Sequence, residues 1–185
     1  MSGRPRFTSP PPEALTPAQR RVYDAVVGGP RAASGNLADA SGALGGPFGP
    51  MLLSPSVGEP LQALGAALRY RSGLTDRARE IATLLVADRC RSAYEWSSHV
   101  VHARRAGLTD TEIASLSGNE PDLVGIEAVV ARTALALLAD GDLDDAHYAE
   151  AERELGQAAL FELVVLVGYY RLLAGVLAVF RIPPP

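Results

Sequence analysis

The stretch Glu80-Ile81-Ala82-Thr83-Leu84-Leu85-Val86-Ala87-Asp88-Arg89-Cys90-Arg91-Ser92-Ala93-Tyr94-Glu95-Trp96-Ser97-Ser98-His99 decides the reading of this 185-residue chain. Thr75 caps a predicted helix over residues 76–89. Within it Glu80 is the one ionisable group ahead of seven residues that are apolar or threonine. A carboxyl at the mouth of such a segment is partly desolvated, which raises its pKa and suits it to proton transfer near neutral pH. Ser92 caps the following helix, which ends at Gly107. Glu95 and His99 are four residues apart and share one face of it, with His102 on roughly the same face. Trp96, Val100 and Ala103 fall on a neighbouring, packing face. If the two helices form an antiparallel hairpin, Glu80 approaches the Glu95/His99 face. Two carboxyls and an imidazole around one pocket can hold a proton, deliver it to carbon and stabilise a developing enolate.

Outward from this hairpin the chain reads as further helices. Residues 1–12 form a Pro-rich arm, and Thr16-Pro17 opens a helix that stops at Gly28-Gly29-Pro30. Residues 31–50, rich in Gly, Ala and Ser, form a long loop whose end, Gly45-Gly46-Pro47-Phe48-Gly49-Pro50, holds the backbone tightly and presents one aromatic ring. A helix over 55–71 carries Leu61, Leu64 and Leu68 along one side. Thr109 and Glu112 form a capping box for a short helix. Asn119 and Pro121 introduce the next helix, which ends near Asp140-Gly141. Asp144 starts another that runs to Leu155-Gly156, and a last helix spans 157–180. No segment alternates with period two, so the expectation is one all-α domain over 13–185, a helical bundle.

The formal charge of −4 and a pI near 5.4 give no basic stripe for a nucleic-acid partner. The single cysteine, Cys90, cannot close an internal disulfide, and no signal peptide is expected, because Met1-Ser2-Gly3-Arg4-Pro5 leads into Pro-rich sequence. The most apolar stretch, 158–180, contains Glu162 and Arg171 and reads as a helix buried on most faces, in the core or at an oligomer interface, rather than as a membrane anchor. A cytoplasmic protein is expected.

Structural readings compete at each candidate. Glu80 is placed to favour the helix dipole, and Glu95 to complete a capping box with Ser92. Glu95 and His99 also fit an exposed pair worth a few tenths of a kcal/mol. His102 stands beside Arg104 and Arg105 and fits a solvated position, as does His147 beside Asp144 and Asp145. Cys90 fits a packed thiol. A metal on Glu95, His99 and His102 is disfavoured, because bundle di-metal sites repeat Glu-x-x-His on two helices and this chain has no second copy. No metal and no other cofactor is expected.

In order and spacing, several runs resemble the carboxymuconolactone decarboxylase-like proteins of the alkylhydroperoxidase superfamily. They are Gly28-Gly29-Pro30-Arg31, Gly46-Pro47-Phe48, Leu53-Ser54-Pro55, Arg79-Glu80-Ile81, Tyr94-Glu95-Trp96 with His99, Ala106-Gly107-Leu108 and Gly168-Tyr169-Tyr170. The resemblance implies the alkylhydroperoxidase-like helical fold and a homo-oligomer, a trimer or hexamer. Peroxidase members carry Glu, Cys-x-x-Cys and His at fixed spacing. Here the Glu falls on Glu80 and the His on His99, while the cysteine positions fall on Ser92 and Glu95. Peroxide reduction needs an attacking thiolate and a resolving thiol, so that activity does not carry over. The decarboxylase members imply cofactor-independent loss of carbon dioxide from a small lactone acid through a dienolate. In that scheme His99 stabilises the enolate oxygen and Glu95 or Glu80 carries the proton. Arg31 holds a substrate carboxylate through a bidentate contact. Phe48 and Trp96 wall the pocket, although core packing explains them equally well. The same acid–base group also fits an isomerase, dehydratase or hydrolase on another small molecule, or a non-catalytic small-molecule-binding oligomer.

Overall fold

Capping chemistry places the helices much as the sequence suggests. In the computed structural model, which describes residues 4–34, 37–118 and 120–185, Thr16 accepts a hydrogen bond from the backbone of Gln19 while the Gln19 side chain returns to Thr16. This opens α1 (Pro17–Val27). A short α2 (Phe48–Met51) and α3 (Pro55–Tyr70) follow. Thr75 caps α4 (Asp76–Arg89), and α5 is Ala93–Arg105. The Thr109/Glu112 capping box opens α6 (Asp110–Ser115), before α7 (Gly125–Ala139) and α8 (Asp145–Phe180). Gly156, at φ 76° and ψ 158°, breaks α8 where the sequence places a boundary. Among the described residues there are no strands, only an isolated bridge between Ala38 and Leu44. The protein is all-α.

The residues group into two compact units. One comprises 1–71 with 176–183 and 185, and the other 72–175 with 184. In the first, the N-terminal arm is tied down: the Arg6 N–H donates to the Phe180 carbonyl at 3.0 Å, and the Phe7 ring meets the Phe180 ring edge-on. The buried side of α3 differs from the predicted leucine stripe. It is Gly58, Gln62, Gly65 and Leu68, while Leu64 is exposed. The reason is close approach. A Cβ on Gly58 would lie 2.2 Å from the Met51 carbonyl oxygen, so α2 seats on a face that only small residues can offer.

The second unit is built around α4, whose residues Glu80 to Ala87 are all buried. It packs against α5 and α7. The α4–α5 turn is a Schellman closure: Ser92 N–H donates to the Ala87 carbonyl and Arg91 N–H to that of Asp88, with Arg91 left-handed at φ 53°. Arg77 ties the unit together, bonding both Glu127 oxygens, Glu112 Oε1 and the Gly107 carbonyl. The Thr109 backbone N–H, and after it Arg77, hold the Glu112 carboxyl down at about 2. Two expectations need correction or limit. The helix expected after Pro121 begins only at Gly125, because 121–124 are held outside it, with Asp122 N–H donating to the Ser115 hydroxyl; Asn119 lies outside the described residues. And α8 is not covered on most faces by its own chain, which bears on the core alternative and not on the oligomer-interface one. Leu163, Leu166, Tyr169, Leu173 and Leu177 are buried, but Phe161, Val164, Leu172 and Val179 are exposed. By length and composition alone α8 could cross a bilayer. Inside it, Glu162 accepts a hydrogen bond from Gly73 N–H at 2.7 Å, which accounts for a carboxylate in so apolar a helix.

Gly58→Ala is expected to destabilise the protein by about 3 kcal/mol or more, since backbone and not a movable side chain must give way. Gly168→Ala, where a Cβ meets nothing within 4 Å, is expected to be neutral or stabilising by up to about 1 kcal/mol in the isolated chain. Urea denaturation of both variants measures the contrast, and equal effects would contradict the packing described for α3.

Candidate active site

Because α4 is buried from Glu80 to Ala87, a charge on that stretch must find a partner inside. Glu80 does so across the α4–α5 hairpin: its Oε2 lies 2.6 Å from Nδ1 of His99, with both residues buried. The hairpin supposed from the sequence therefore forms, and it brings Glu80 and His99 together. A carboxylate accepting at Nδ1 fixes that nitrogen as the N–H. The neutral ring then carries its lone pair on Nε2, and only the doubly protonated ring can donate from that nitrogen. The ring of Tyr170, from α8, packs edge-on against His99 at 5.0 Å between centroids, and His102 lies edge-on at 5.7 Å.

Glu95 occupies the same helix one turn earlier and is 3 % exposed. Among the described residues neither of its carboxyl oxygens has a hydrogen-bond partner, and neither does the Ser92 hydroxyl. The capping box open to Ser92 and Glu95 is not made. Burial pushes the Glu95 carboxyl up to about 7; the nearby Ser92 hydroxyl opposes this only in part, from outside hydrogen-bonding geometry. The exposed-pair reading of Glu95 and His99 fails as well, since both are buried and His99 is turned to Glu80. Cys90 is a half-buried free thiol. Its pKa is pushed up by burial and by the Glu95 carboxyl, against a smaller pull from Arg171. Among the described residues no cluster of three or more His, Cys, Asp or Glu is arranged to hold a metal ion.

Residues 55–140, which contain α4, α5 and this whole Glu80–Glu95–His99 group, match the carboxymuconolactone decarboxylase family. Over these residues the chain is similar to that family. Its fold is that of alkylhydroperoxidase AhpD-like proteins. An uncharacterised peroxidase-related protein from Ralstonia eutropha JMP134, with an alkylhydroperoxidase AhpD core, is 18 % identical, with a TM-score of 0.75 over 98 % of this chain and 92 % of its own. An uncharacterised peroxidase-related protein from Silicibacter sp. TM1040 is 12 % identical, with a TM-score of 0.72 over 98 % and 92 %. No curated protein matches the chain. At these identities the two structures establish the fold alone.

Of the other residues singled out in the sequence, Trp96 is half-buried on the flank of α5 beside the buried Ala103. Arg31 and Phe48 belong to the first unit, where the Arg31 guanidinium lies over the Phe48 ring at 5.2 Å and donates to Gln62 Oε1 and to the Gln62 carbonyl. Tyr170 was legible only as part of the family run Gly168-Tyr169-Tyr170. Nothing local in the sequence says that α8 delivers this ring to His99.

The unpaired state of Glu95 has a thermodynamic signature. An ordinary glutamate ionises near 4.5, whereas Glu95 in the fold keeps its proton to about pH 7. A raised carboxyl pKa gives stability that is full below pH 4.5 and is lost as pH rises through 7. Glu95→Gln, which never ionises, is expected to match the wild type below pH 4.5 and to exceed it above pH 7 by on the order of 3 kcal/mol. Denaturant titrations at several pH values measure this, and a variant no more stable at pH 8 than the wild type would show that Glu95 ionises freely.

Proposed function

We propose that the protein is a cofactor-independent lyase that decarboxylates a small carboxylated lactone or a related enolisable acid by acid–base chemistry. The observation that carries the reading is Glu95: a buried carboxyl without a hydrogen-bond partner, holding its proton near neutrality, on the same helix face as a histidine fixed by a second carboxylate. The match of residues 55–140 to the carboxymuconolactone decarboxylase family supports the reaction class.

The steps balance without another reagent. The C–C bond to the substrate carboxylate breaks and carbon dioxide leaves. The electron pair passes into the conjugated carbonyl as an enolate. His99, held by Glu80 through Nδ1, acts in its doubly protonated form: its Nε2–H donates a hydrogen bond to the enolate oxygen and stabilises the developing charge. Glu95 gives its proton to carbon and recovers one from water. Peroxidase chemistry finds no support, since Cys90 has no second thiol to resolve a sulfenic acid and its pKa lies on the unreactive side. The reading includes a homo-oligomer of the chain, with the exposed Phe161, Val164 and Leu172 of α8 the face for a second copy.

Wild type is expected to release carbon dioxide from γ-carboxymuconolactone, with a loss of at least about 100-fold in Glu95→Gln and His99→Ala, the scale of a general acid–base contribution. Because Glu95 must be protonated to act, kcat/KM is expected to fall as pH rises through about 7. A folded wild type that releases no carbon dioxide, and that also exchanges no deuterium into enolisable acids, would sink the acid–base reading; exchange without release would remove decarboxylation alone. Light scattering is expected to give a mass above that of one 19.4 kDa chain, reduced in Phe161→Glu.

A further inference from the structure

Arg31 is a buried cation without a counter-ion. It is 7 % exposed, and among the described residues no carboxylate pairs with it. Its two hydrogen bonds both go to one neutral residue: one terminal nitrogen donates to Gln62 Oε1 at 3.1 Å and the other to the Gln62 carbonyl at 3.0 Å. The Phe48 ring covers a face of the guanidinium. A guanidinium has five N–H donors and does not deprotonate in proteins. Among the described residues two donors are used, and the Nε–H and one N–H on each terminal nitrogen have no partner there. Among the described residues no Arg31 nitrogen is both sealed from solvent and unbonded. Withdrawing a charge from water against only neutral partners is costly. That cost falls when an anion arrives at the Nε–H edge.

We propose that Arg31, Gln62 and Phe48 form a binding site for the carboxylate of a small organic acid. Gln62 takes two donors and fixes the plane of the fork. The remaining Nε–H edge offers two near-parallel donors to a planar, two-oxygen anion, the geometry of bidentate carboxylate recognition. One fixed cation balances one negative charge. The aromatic wall favours an acid with an apolar or unsaturated body over a compact hydrated oxyanion, whose further oxygens would need donors that Gln62 and Phe48 do not offer. The proposal concerns the first unit alone and does not depend on the chemistry proposed for Glu80, Glu95 and His99.

The test is calorimetric titration and thermal melting of the whole protein with acetate, succinate and benzoate, beside sulfate and phosphate, at constant ionic strength. Two variants separate the site from the fold. Arg31→Met removes the cation. Gln62→Glu leaves Arg31 in place and supplies an internal counter-charge. The wild type is expected to bind the carboxylates saturably and to melt higher in their presence, benzoate above acetate. Both variants are expected to lose at least tenfold in affinity, and Gln62→Glu to melt higher than wild type in carboxylate-free buffer. The proposal is overturned by a folded wild type that responds to no carboxylate, by a response to sulfate or phosphate only, or by undiminished carboxylate binding in Gln62→Glu.

Discussion

The contact between Glu80 and His99 follows from a constraint imposed by α4. A helix buried over eight successive residues leaves a carboxylate no water to turn to. The partner has to come from a neighbouring helix, and at 2.6 Å His99 of α5 supplies it. Breaking such a pair from one side strands a buried charge, at a cost of about 3–5 kcal/mol. The register of α4 against α5 is therefore fixed by an interaction that only one alignment can make. The Schellman closure at Arg91 shortens the connection until that alignment is reached, accepting a left-handed arginine where glycine would be easier. The pair is at once the lock of the hairpin and the element that orients the imidazole.

Around this lock the second unit is heavily cross-tied, while the first depends on close approach. Arg77 joins α4 to α6, α7 and the Gly107 turn through four hydrogen bonds to two carboxylates and a carbonyl. Such a network can bear the cost of a group that is not satisfied, and Glu95 is that group. Native interiors satisfy nearly all their polar atoms, so a buried carboxyl with two bare oxygens calls for a reason beyond stability. Perturbed carboxyls of this kind concentrate where protons are moved.

Much of the helical layout was legible in the sequence because local chemistry writes it. Thr16, Thr75 and the Thr109/Glu112 box mark helix starts, and Gly107, Gly141 and Gly156 mark ends or breaks with left-handed backbone. The Glu80, Glu95 and His99 group was legible from helical spacing together with the family run. What stayed hidden depends on distant neighbours. The leucines of α3 suggested the wrong face because the carbonyl of Met51 needs a glycine opposite it. Tyr170 carries no local sign of its contact with His99. The state of each charged group was equally hidden: a sequence can name Arg31 and Glu95 but cannot say that, among the described residues, one meets only neutral partners and the other none.

The first turn of α5 shows how a stabilising option is left unused in favour of a reactive one. Ser92 and Glu95 have the spacing of a capping box, and had they formed it, the Glu95 carboxylate would accept backbone and side-chain hydrogen bonds. Glu112 displays the consequence at α6, where bonds from Thr109 and Arg77 hold its carboxyl at about 2. A carboxyl in that state is ionised throughout the physiological range and has no proton to give. At α5 the cap is absent, the Ser92 hydroxyl is unbonded, and the same kind of side chain lies near 7. Two glutamates at the third position of neighbouring helices thus differ by about five pKa units: burial without a bonded partner raises Glu95, and the cap bonds from Thr109 together with Arg77 lower Glu112. The uncapped end of α5 is the structural cost of a carboxyl able to donate a proton at neutral pH.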